Sequence, residues 1–119
     1  MKLTGSITEN EYRGDLIGSQ KFLFESLQGA RVRRALAQLC GNIRTAYVLA
    51  HTPGQGEEIF NILVNGENVI GFDLQNEDDK CIPSNVSILP VKNYELMLHG
   101  REGRLRLAIA LELSAHTST

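Results

Sequence analysis

Cysteine, aromatic side chains and recognisable reaction signatures are all scarce in this chain of 119 residues. Two cysteines cannot build a disulfide framework, and a chain this long buries roughly two thirds of its unfolded surface, enough for one core without a staple. No stretch approaches the roughly 18 uninterrupted apolar residues of a membrane span. The opening residues Met1 to Ser6 hold no apolar block of signal-peptide length. These absences predict one cytoplasmic domain over 1–119 with no membrane partner.

Reaction motifs are missing as well. There is no Gly-x-Ser-x-Gly elbow and no Gly-x-x-x-x-Gly-Lys-Ser/Thr loop. Gly54-Gln55-Gly56 imitates a phosphate loop, but it leads into a strand pattern rather than a helix, and Glu57 and Glu58 would repel an anion. Cys40, Cys81, His51, His99 and His116 lack zinc-ligand spacing, and Asp73, Glu77, Asp78 and Asp79 lack the order of a calcium loop. Neither a metal nor a cofactor is expected. Cys40 lies on an apolar helical stripe and reads as core; Cys81 follows acidic residues that disfavour its thiolate.

What is present is an uneven division of charge. Residues 1–44 carry seven basic and four acidic side chains, whereas 45–119 carry five basic and ten acidic. Between 45 and 79 stand Glu57, Glu58, Glu67, Asp73, Glu77, Asp78 and Asp79, with no Lys or Arg. Such a run predicts an acidic surface that would attract a basic partner and repel nucleic acid. The competing arrangement has Arg31, Arg33, Arg34 and Arg44 fold back and cancel it. Nucleic-acid binding through those four arginines is disfavoured, because the chain is acidic overall and its aromatics do not interleave with them.

The order of elements reads as α+β. With Asp15 as N-cap, Leu16, Ile17, Leu23, Phe24 and Leu27 share a stripe over 15–28; Thr8 and Glu11 at capping-box spacing allow a start near residue 9. After Gly29, Val32, Ala35, Leu36, Leu39 and Cys40 form a second stripe ending at Gly41-Asn42. Strands follow from Ala46. Asn65-Gly66 between two apolar runs predicts a type I′ hairpin pairing Val64 with Glu67 and Phe60 with Gly71. Both faces of that hairpin are apolar, so it belongs inside a sheet with cover on each side, unless one face goes to a partner. Only a short edge strand around Val86, Ile88 and Leu89 is expected in 75–90. Alternation of Leu105, Leu107, Ile109, Leu111 and Leu113 predicts a last strand paired with 94–99, although Val91, Tyr94 and Leu98 also fit a short helix. The expected fold is an N-terminal helical pair packed on a mainly antiparallel sheet of about five strands.

Two residues stand out beyond the acidic run. His51, beside a Gly-rich turn and an acidic pair, is the one candidate general acid or base, but no nucleophile or oxyanion donor can be assigned to it. Phe22 falls opposite the core stripe of its helix and needs cover from Ile7 and Tyr12, a second copy or a partner. The leading expectation is a small non-enzymatic protein-binding module. An inhibitor or immunity-type protein, docking a basic partner such as a nuclease toxin through the acidic surface, would fit it. The alternative is a small-molecule-binding protein or enzyme with a pocket near His51, between helices and sheet.

Overall fold

The structure is a computed structural model that describes residues 2–75 and 80–117. Helices α1 (Ile7–Glu25) and α2 (Leu27–Ala37) precede strands β1 (Ala46–Pro53), β2 (Glu57–Val64), β3 (Asn68–Gln75) and β4 (Ser84–Pro90), and helices α3 (Val91–Met97) and α4 (Arg101–Thr117) close the chain. The strands form one antiparallel sheet in the order β1-β2-β3-β4. The fold is α+β, as the sequence predicts, with four strands in place of five.

The missing strand is a correction. Residues 94–99 and 105–113, read as a strand pair from alternation, form no strand: 94–97 lie in α3, Leu98 and His99 in the connection after it, and 105–113 in α4. Helix propensity wins over 105–113 because Leu, Arg, Ala and Glu fill it. Its period was hidden because small Ala110 and Ser114 share the buried face with Leu107 and Ile109.

This exchange supplies the cover that the apolar hairpin demands. β2 and β3 are the central strands. On one face Phe60, Ile62, Val64, Ile70, Phe72 and Leu74 pack under α2 and the second half of α1, through Leu23, Val32, Ala35 and Leu36. On the other, Leu63 and Val69 meet Leu107, Ile109 and Ala110 of α4 together with Leu16 of α1. Each large apolar side chain buried this way contributes about 1.5–3 kcal/mol.

Helix α1 reaches both layers by running along the edge of the sheet. It starts earlier than predicted: Ser6, rather than Asp15 or Thr8, is the N-cap, in a capping box with Glu9. Ser19 Oγ accepts from the Val48 N–H at 3.0 Å while donating to the Leu16 carbonyl at 2.7 Å, and Gln20 Oε1 accepts from the Ala46 N–H at 3.4 Å. These contacts close half of an edge strand that would otherwise be open to pairing. The helical pair breaks at Ser26, which ends α1 and caps α2 through the Gly29 N–H at 2.8 Å. Leu27, placed by its spacing on the core stripe, begins α2 at 93% exposure because the break rotates it outward.

The Asn65-Gly66 turn has the expected positive φ values, 55° and 68°, and the Glu67 N–H donates to the Val64 carbonyl at 3.1 Å. The ladder, however, resumes one residue later. Val64 pairs with Asn68 and Phe60 with Phe72, leaving Glu67 in the turn with its carbonyl accepting from the N–H of Val91 at 3.1 Å. Gly71 therefore lies across from Asn61 rather than under Phe60, and a Cβ there would stand 2.7 Å from both Asn61 Oδ1 and Ser87 Oγ.

Candidate functional site

A one-residue slip in β1 positions the site. Val48 pairs with Ile62 and Ala50 with Asn61, so Leu49 is an extra residue on its strand. A regular strand would turn His51 toward the α4 face; the bulge turns it to the α2 face, opposite Phe60. There its ring stacks on Phe60 with centroids 4.6 Å apart and planes 3° apart, and Phe60 continues the stack to Phe72 at 5.6 Å.

From this stack a polar chain runs to α2. His51 Nε2 lies 3.0 Å from Glu58 Oε1; Glu58 Oε2 lies 3.5 Å from Arg31 Nη1; Arg31 Nη2 donates to the Gln75 carbonyl at 3.0 Å. Both oxygens of Glu58 are engaged. The chain borders a cleft of about 550 Å³ between the helical hairpin and the sheet, walled by Phe22, Val32, Val48 and Phe60, with Gln28 at its rim. This falls in the usual volume range of small-molecule sites.

Phe22 thus stands in the same cleft as His51. It is 36% exposed, and the predicted cover by the N-terminal segment is not what the structure has: Ile7 is 79% exposed, and Tyr12 packs toward α4 beneath Arg106, whose guanidinium carbon lies 4.3 Å from the ring centroid. The wall is set by Gly29, where a Cβ would stand 1.7 Å from the Phe22 carbonyl oxygen. Only glycine permits this approach of α2 to α1. Spacing alone could not have joined His51 to Phe22, because their meeting depends on the bulge and the hairpin angle.

The four described acidic residues of the run, Glu57, Glu58, Glu67 and Asp73, do not share one face or one end of the sheet. Glu58 faces the cleft and pairs with Arg31, whereas Glu57 and Asp73 lie on the opposite face of the sheet, hydrogen-bonded by the amides of Gln75 and Asn85 at 3.4 and 2.6 Å. Glu67 sits at the other end of the strands, about 20 Å away by strand rise, in an ion pair with Arg44 at 3.4 Å. Glu77, Asp78 and Asp79 lie outside the described residues. Arg33 donates to the Leu23 and Phe24 carbonyls at the end of α1, so the arginines are spread over separate tasks.

Cys40 and Cys81 are not joined in a disulfide, and burial pushes the Cys40 pKa up. Among the described residues no group of three or more His, Cys, Asp or Glu side chains could hold a metal ion, and no helix is long and apolar enough to cross a membrane. No family model matches the chain, and neither a curated protein nor a solved structure matches it.

Proposed function

We propose that this protein is a small-molecule-binding module whose ligand occupies the cleft between the α1–α2 hairpin and the sheet. The observation that carries this reading is the convergence of α1, α2, β1 and β2 on one aromatic-walled hollow that contains the His51–Glu58–Arg31 chain. Apolar walls supply affinity and a few placed polar groups supply orientation. Catalysis is not part of the proposal. The hydroxyl that lines the cleft, Ser19 Oγ, is committed to the Val48 N–H and the Leu16 carbonyl, so His51 has no nucleophile to activate there.

Docking of a basic protein partner through an acidic surface is the second reading. It is favoured by Glu57 and Asp73, which share a sheet face and have amide hydrogen-bond partners. It is weakened by the guanidinium partners of Glu58 and Glu67.

An NMR fragment screen separates the two. Backbone amide shifts should cluster at Phe22, Val32, His51 and Phe60, and Gln28→Trp, which plugs the exposed rim, should abolish them. Hits confined to other surfaces, or no hit at millimolar concentration, would reject the cleft.

A further inference from the structure

The hydrogen-bonding capacity of the cleft is unbalanced in a way that selects among ligands. Its carboxylate, Glu58, is engaged at both oxygens, Oε1 by His51 and Oε2 by Arg31, and keeps about half of its acceptor sites. Its guanidinium keeps more. Among the described residues Arg31 uses two hydrogen bonds, to Glu58 and to the Gln75 carbonyl, which leaves more than half of its N–H donors without a partner there. The bond to Glu58 is long, at 3.5 Å, so it offers little resistance to a better acceptor. Gln28 adds an amide donor on the same helix, one turn before Arg31. Apart from Ser19 the remaining walls are apolar or aromatic, and the exposed rings are those of Phe22 and of His51, whose stacking partner Phe60 is itself buried.

A cationic ligand would have to share the Glu58 oxygens with His51 and with Arg31, whose charge repels it. A neutral apolar ligand would fill the walls and leave Arg31 unanswered. A planar ring bearing a carboxylate satisfies both parts, because carboxylate geometry matches the guanidinium fork. Resting on the cleft reading above, we propose that the ligand is an aromatic carboxylate, with its ring between Phe22 and the His51–Phe60 stack and its carboxylate on Arg31 and Gln28.

The test uses the whole chain and three probes of one shape: 2-naphthoate, naphthalene-2-methanol and 2-naphthylmethylamine, titrated by calorimetry and followed by amide shifts. The expected order is naphthoate at least tenfold tighter than the alcohol, and the amine weakest. Arg31→Gln should remove that preference, Arg31→Lys should retain part of it, and Arg34→Gln, on the exposed side of α2, should leave it intact. An alcohol or amine that binds at the cleft as tightly as naphthoate overturns the ligand class while the cleft reading survives. No binding by any of the three overturns the aromatic class, and the fragment screen then decides the cleft by itself. Unchanged naphthoate affinity in a folded Arg31→Gln or Arg31→Lys protein overturns the assignment to Arg31.

Discussion

Replacing Asn65 tests how the sheet is tied to the helices. Asn65 Oδ1 accepts from the N–H groups of Arg44 and Thr45 at 2.7 and 3.1 Å, and its Nδ2 donates to the Asn42 carbonyl at 2.7 Å. One side chain thus secures the whole connection between α2 and β1, from a backbone position with φ of 55°. Asn65→Gly removes three bonds but keeps the backbone at ease. At about 0.5–1.5 kcal/mol each, and toward the lower end because the site is partly solvated, the loss should be about 2 kcal/mol. Asn65→Ala loses the same bonds but keeps a Cβ in the left-handed region without the polar side chain that lets Asn settle there, so it should be about 1 kcal/mol worse than Gly. Asn65→Asp keeps both acceptor roles and loses only the donor, so it should cost least. Urea unfolding should rank them Asp, Gly, Ala, with hydrogen exchange at Arg44 and Thr45 quickening in the last two. If Ala and Gly are equal, the strain argument fails; if Ala costs under about 0.5 kcal/mol, the side chain is no tie at all.

Three further expectations follow from other sites. The capping box holds the Glu9 carboxyl pKa at about 2, against an ordinary 4.5, chiefly through the Ser6 N–H, with the Thr4 hydroxyl and N–H also donating. A depressed pKa gives stability that is complete above 4.5 and lost as pH falls toward 2, so acid titration of Glu9→Gln should lack that share of the decline. Thr45 is buried, and its Oγ1 has no hydrogen-bond partner among the described residues. Thr45→Val should be neutral or stabilising by about 1 kcal/mol, and a loss of that size in thermal unfolding would show that the hydroxyl has a partner after all. Gly29→Ala forces a Cβ onto the Phe22 carbonyl and should cost more than about 3 kcal/mol, while moving Phe22 amide and ring resonances.

Local chemistry was legible where one residue type answers one backbone need. Asn65-Gly66 announced its turn through the positive φ both positions adopt, whereas α2 ends at Ala37, before the stop read at Gly41-Asn42 and short of Leu39 and Cys40. The apolar hairpin announced central strands covered on both sides, and β4 is the edge strand expected around Val86 and Ile88. The register was not legible, because Asn-Gly announces a turn without saying whether Glu67 joins the ladder or stays in the turn, where its carbonyl meets the N–H of Val91, more than twenty residues along the chain. The nature of 105–113 was misread because alternation of large apolar residues says nothing about small Ala110 and Ser114, which the α4 interface needs as much as Leu107. Gly66, where a Cβ would stand 3.1 Å from Ser114 Cβ, belongs to that same contact.

By itself the sequence determined the α+β order, the turn chemistry and the presence of His51, Phe22 and the acidic run, since composition, short-range periodicity and backbone preference act within a few residues. Only the tertiary structure decided that Leu49 bulges, so that His51 turns to the face of Phe60, and that Gly29 lets α2 close on Phe22. It also decided which of the described carboxylates meet arginines, dividing Glu57, Glu58, Glu67 and Asp73 between two sheet faces and two strand ends. The reason is geometric: strand parity sends successive side chains to opposite sides, and one extra residue reverses every assignment beyond it.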